Sequence, residues 1–202
     1  MARNDAYATA AQYRAALNRD DNGEDAEILE DLKAVARWLD RELGSTGFNQ
    51  ATETRLYVPD SHQPDRTLLF VDELVSVTTI KEDEDQDESF ADETAWATAD
   101  FELLPRNAAV GEHTRPYTMI LATLNGAKRQ WLGVKVQIVG TFGWPAVPIA
   151  IQRASIQLTG IWRLESPRAT SQITEMGTVL GTSRMANEIV ERVAKSYTAV
   201  TF

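Results

Sequence analysis

The densest concentration of reactive side chains in this 202-residue sequence is the run KEDEDQDESFADE, residues 81–93, which holds eight carboxylates and one lysine. Glu82, Asp83, Glu84, Asp85, Asp87 and Glu88 crowd its first half. Carboxylates at alternate positions could hold a hard divalent cation, or could act as a paired acid and base. A metal-dependent hydrolase built on 82–93 is therefore one reading of the chain. The remaining chemistry is sparse. The two histidines, His62 and His113, lie among turn residues and lack metal-pair spacing. There is no cysteine, which excludes disulfides, thiolate catalysis and zinc sites of the cysteine type.

The spacing Asp83-x-Asp85-x-Asp87 matches the start of an EF-hand calcium loop and then departs from it. The sixth position is Glu88, not glycine, and the twelfth is Thr94, not glutamate. Like charges this close repel one another, and Lys81 is the only cation within the run. The run is thus expected to be a flexible, solvated loop that takes no specific metal. No glycine-rich phosphate loop, nucleophile elbow or zinc-binding helix motif occurs along the chain. No catalytic residue and no cofactor is assigned.

The elements that would carry this run follow from periodicity. Thr9 and Gln12 have capping-box spacing ahead of a helix over 10–19. Ile28, Leu32, Val35, Leu39 and Leu43 recur on one face of a helix over 25–43, with Gly44 placed to cap its end. Residues 54–60, 67–80, 95–105, 117–124 and 131–144 are rich in β-branched and aromatic residues and lose the helical period. Asn125-Gly126 predicts a β-hairpin between the last two runs.

Helical spacing returns after TFGWPAVPIAIQRASI, residues 141–156. Phe142, Gly143, Trp144, Pro145 and Pro148 mark a junction between layers: glycine turns the chain, Trp-Pro ends a strand, and Pro148 opens a helix running to about Glu165. Ile151, Ala154, Leu158, Ile161 and Trp162 form its apolar stripe. Gly160 sits inside that helix at a cost of about 1 kcal/mol relative to alanine, which close approach of another helix would explain. A long loop over 166–182 and a last helix over 184–197 complete the pattern, with Ala186, Val190, Val193 and Tyr197 on its face.

Outer helices around a central run of strands predict an α+β protein. Its helical core is formed by the N- and C-terminal helices (1–48 and 147–202), with an antiparallel β module of four to six strands inserted at 49–146. The net charge of −10 argues against a broad grip on nucleic acid, which needs clustered cations. The most apolar stretch, 131–151, carries Lys135, Gln137 and two prolines, and does not read as a membrane span.

Taken in order, YATAAQYRAAL, AEILEDLKAVARWLDRELG, FVDELVSVTTI, ATADFELLPRNA and VQIVGTFGWPAVPIAIQRASIQLTGIWRLESPR resemble the head–tail connector (adaptor) proteins of long-tailed bacteriophages. The resemblance spans nearly the whole chain; the acidic run and the loop after Pro167 depart from it. It implies a structural subunit, not an enzyme. Such subunits form a homo-oligomeric ring, usually twelvefold, below the portal protein, extending the DNA channel and docking the stopper or tail protein. DNA passes through without specific binding, and no membrane is involved. The chain would be made in the host cytoplasm and reside at the head–tail interface of the virion. On this resemblance Tyr197 and Phe202 are the candidate portal-facing anchors. Glu82, Asp83, Glu84, Asp85, Asp87 and Glu88 become a channel-facing or neighbour-facing loop. A stand-alone cytoplasmic binding module is the third reading.

Overall fold

The computed structural model describes residues 6–60, 66–108, 114–124, 126–165 and 188–193. The chain is an α+β protein that divides into two compact units. A helical unit draws on residues 1–49 and 147–202; a sheet unit is formed by residues 50–146.

In the helical unit, α1 spans Ala10–Ala16, α2 spans Asp25–Leu43 and α3 spans Ile149–Glu165. The Thr9 side chain accepts the Gln12 N–H while the Gln12 side chain accepts the Thr9 N–H, so the capping box is complete. Gly44 ends α2 in the left-handed region at φ 64°, a conformation that costs glycine little. Ile28, Leu32, Val35 and Leu39 are all buried, while Leu43 is half-buried at the helix end. On α3, Ile151, Ala154 and Leu158 are buried, but Ile161 and Trp162 are only half-buried. The Trp162 ring instead meets Trp38 edge-on at 5.9 Å, closing the α2–α3 seam. Arg163 spans the rim of that seam, donating to Asp31 at 2.6 Å and Glu24 at 2.5 Å.

Two expectations fail in this unit. The first helix stops at Ala16, with Leu17 as its C-cap, rather than reaching Arg19. Gly160 is not closely approached by any helix among the described residues: of these, a Cβ there would meet only Leu17 Cδ1, at an ordinary 3.9 Å. Of the last predicted helix, residues 188–193 are helical, and its remainder lies outside the described residues.

The sheet unit is a five-stranded antiparallel sheet, built from β1 (Ala51–Tyr57), β2 (Leu68–Glu82), β3 (Phe101–Leu104), β4 (Tyr117–Ala122) and β5 (Val136–Phe142) in the order β1-β5-β2-β4-β3. The long β2 serves two neighbours. Residues 68–74 pair with β4 and residues 74–82 pair with β5, with register shifts around Leu74 and Val77. Gly140 pairs with Val77 in that ladder, and a Cβ on it would collide with the Ser76 carbonyl. Leu69, Leu74, Ile80, Ile120, Trp131, Val136, Ile138 and Phe142 fill the core.

The hairpin expected at Asn125-Gly126 does not form, because β2 lies between β4 and β5. The physical reason is Trp131. Its backbone N–H donates to Arg66 O at 2.8 Å and its indole N–H donates to Thr67 O at 3.1 Å. The connection is thereby tied to the start of β2 and cannot fold back directly on β4.

Candidate functional site

The acidic run begins inside a strand. In β2 successive side chains alternate between faces, so Glu82 shares the inward face of Ile80. Glu82 is 1% exposed and Asp83 is 2% exposed. This corrects the expectation of a solvated loop at those two positions. Glu84, Asp85, Asp87 and Glu88 are exposed.

The buried Glu82 carboxylate has two donors. Trp96 Nε1–H donates to one oxygen at 3.2 Å, and the Leu132 backbone N–H donates to the other at 2.8 Å. Burial pushes its acid strength down, raising the pKa above the ordinary glutamate value, while the Leu132 amide, Lys128 and Trp96 oppose that rise. Trp96 also stacks on Trp131, with centroids 4.1 Å apart and planes 15° apart. One carboxylate thus joins the end of β2 to the loop before β3 and the loop before β5.

A second buried acid works in the same way. Asp100, 5% exposed, accepts from the backbone N–H of Ala97 at 2.9 Å, of Ala127 at 2.6 Å and of Lys128 at 3.3 Å. These amides, led by Ala97, together with the Lys128 charge hold its carboxyl below the ordinary aspartate value against desolvation. Gly126 is needed here for closeness, not for a hairpin: a Cβ would lie 2.6 Å from Asp100 Cα.

The rest of the run is stitched to its surroundings. Lys128 pairs with Glu84 and Lys135 pairs with Glu88. Lys81 Nζ donates to Phe90 O at 2.6 Å, and the Glu84 N–H donates to Glu93 Oε1 at 2.7 Å. Asp83, Asp85 and Asp87 each bring a carboxylate oxygen into one cluster, all within 4.8 Å of one another.

The predicted junction residues have separate surroundings. Phe142 is fully buried in the sheet unit, with the Arg55 guanidinium 4.2 Å from its ring centroid. Gly143, at φ 112°, donates its N–H to Glu73 O at 2.8 Å. Trp144 and Pro145 are half-buried, and Gln50 Nε2 donates to Pro145 O at 2.6 Å. Pro148 belongs to the helical unit, where its carbonyl accepts the Gln152 N–H at 3.0 Å and starts α3. Tyr197 and Phe202 lie outside the described residues.

Sequence reasoning did not single out Trp96, Asp100, Trp131 or Lys128, and it read Gly126 as a hairpin residue. The available signal was strand parity: carrying the alternation of β2 two residues past Ile80 places Glu82 inside, where it requires donors. Among the described residues, no helix is long and apolar enough to cross a membrane.

No protein-family model and no curated protein matches this chain. Solved structures do. A chain from the virion of a native gene transfer agent (GTA) particle aligns with a TM-score of 0.51 and 19% identity, covering 91% of this chain and 87% of that one. A chain from the neck of an empty GTA particle computed with C6 symmetry aligns at TM-score 0.49, with 18% identity over 91% of this chain and 87% of its own. One from the neck of a native GTA particle computed with C12 symmetry aligns at 0.47, with 19% identity over 91% and 86%. At these identities the likeness is one of fold.

Proposed function

We propose that this chain is a structural subunit of a phage-type head–tail connector ring, joining the portal vertex to the stopper or tail and extending the DNA channel. The observation that carries the reading is the fold shared with a chain of a native GTA virion over nine-tenths of this sequence. The ordered segments that resemble phage adaptors support it independently, since they fall on α1, α2, β2, β3 and the β5–α3 passage.

In this reading the chain performs no catalysis. The exposed Glu84, Asp85, Asp87 and Glu88 face the channel or a neighbouring subunit, and the acidic surface lets DNA pass without phosphate contacts. Residues 142–148 carry the chain from the sheet unit to the helical one. The segment from Met185 to Phe202 faces the portal, with Tyr197 and Phe202 as aromatic anchors of the kind favoured at interfaces. Twelve copies complete the ring, as the adaptor resemblance implies.

Electron microscopy of the purified chain mixed with its portal protein tests this. The expected result is a ring of copies seated on the portal, lost on truncation after Lys195. A chain that stays apart from assembled portal at micromolar concentration would refute the connector role. Undiminished docking of the truncated chain would move the interface away from the C-terminal segment.

A further inference from the structure

Asp83 is the one member of the acidic cluster that the fold takes inside. It is 98% withdrawn from solvent by its 2% exposure, and its Oδ1 accepts no hydrogen bond from any described residue. Buried carboxylates ordinarily have donors or a paired cation, because desolvating an uncompensated charge is costly. Its neighbour Glu82 has two donors and Asp100 has three. Asp83 has instead the carboxylates of Asp85 and Asp87, whose oxygens converge with its own within 4.8 Å. The nearby cations are engaged elsewhere: Lys128 with Glu84, Lys135 with Glu88, and Lys81 with the Phe90 carbonyl. Lys135 acts on Asp83 only through space.

The geometry points to a divalent-cation site on this segment, with Asp83, Asp85 and Asp87 as ligands and calcium as the ion. A cation supplies what the buried Asp83 oxygen lacks and cancels the repulsion of three converging carboxylates. All the donors are hard oxygens, which select calcium or magnesium over softer metals. Calcium fits better, since it accepts six to eight oxygens in a flexible arrangement, whereas magnesium demands near-ideal octahedral geometry. The missing EF-hand glycine and glutamate do not decide the matter, because the first carboxylate here, Asp83, directly follows the end of a β-strand and the cluster is not a helix-flanked loop. The ion's role is structural, fixing the run that follows β2.

Isothermal titration of the full chain with calcium chloride, after chelator treatment and at physiological ionic strength, tests the site. One ion per chain is expected, with a dissociation constant below about 1 mM and weaker binding of magnesium. Calcium at about fifty times that constant should raise the melting temperature by roughly 5 °C. The double variant Asp85→Asn/Asp87→Asn, altered only at exposed positions, should fold and lose the calorimetric signal. Asp92→Asn, in the same run but outside the cluster, should bind as the unaltered chain does. In chelator, Asp83→Asn should melt no lower than the unaltered chain, since it removes an uncompensated buried charge, and it should gain nothing from calcium. The proposal is overturned by the absence of saturable calcium heat up to several millimolar, by magnesium binding at equal affinity, by retained binding in the double variant, or by an Asp83→Asn chain destabilised in chelator.

Discussion

The two units handle charge in opposite ways. The helical unit keeps its ionic groups at the rim: Arg163 bridges Asp31 and Glu24, whose side chains are 42% and 55% exposed. Its interior is mostly aliphatic and aromatic, with the uncharged Ser155 and Thr159 buried on α3. The sheet unit draws Glu82, Asp83 and Asp100 inside and surrounds two of them with N–H donors. Rim ion pairs contribute little, because water competes for both partners. A buried carboxylate fixes several loops at once, because each donor it holds would otherwise be stranded. The helical unit should therefore be most sensitive to lost volume, and the sheet unit to lost acceptors.

The largest effect expected is in the helical interior. Leu158→Ala should destabilise the protein by about 2–5 kcal/mol in urea unfolding, through lost burial and the cavity left behind. A loss near that of a surface substitution would show that α3 does not supply the core of its unit. Glu82→Ala comes next, at about 2–4 kcal/mol, because it leaves Trp96 Nε1–H and the Leu132 N–H without an acceptor. Glu82→Gln, which retains one acceptor, should lose less. Equal losses for the two variants would break the contrast between the units.

Acid unfolding sharpens the comparison further. Asp100 has a lowered folded pKa, so its contribution is complete above the ordinary value of 3.8 and is lost as pH falls through the folded value. Glu82 runs the other way. Its raised folded pKa gives a contribution that is complete below 4.5 and declines as pH rises through the folded value. Asp100→Asn should therefore flatten the fall in stability below about pH 4, followed by circular dichroism melts across that range. An unchanged acid limb would show that the Asp100 donors do not favour its ionised form. The smallest change expected is a gain. Gly160→Ala places a methyl group at ordinary contact distance from Leu17 and should stabilise α3 by about 0.5–1 kcal/mol. A loss in thermal melts would mean the glycine meets something other than Leu17.

Much of this was legible in the sequence because it is local. The α2 stripe, the Thr9–Gln12 box and the Gly44 cap each depend on residues a few positions apart, and all three stand in the structure. The α+β class was legible for the same reason. Strand order was not. Asn125-Gly126 carries a strong hairpin signal, but the partner of β4 is decided by where Trp131 anchors, and that depends on Arg66 and Thr67, far away in sequence. The acidic run misled through its composition. Eight carboxylates averaged over the window read as solvated, while Glu82 ends a strand on its inward face and Asp83 is buried directly after it. The donors that make Glu82 tolerable come from Trp96 and Leu132, which no spacing rule links to it.

The strand order also sets a sequence of events during synthesis. β5 is the partner of β1 along its whole length, from Ala51–Phe142 to Tyr57–Val136, and of the second half of β2. As the chain leaves the ribosome, β2 can pair with β4 and β4 with β3, but β1 has no partner until residue 142 has emerged. Contacts of such long sequence separation are the slow ones to close. The helical unit waits in the same way, because α2 gains α3 only after residues 149–165 appear. Both units therefore depend for completion on one late stretch, 136–165. Nascent chains arrested before Val136 should leave β1 amides open to hydrogen exchange, and chains that extend past Glu165 should protect them.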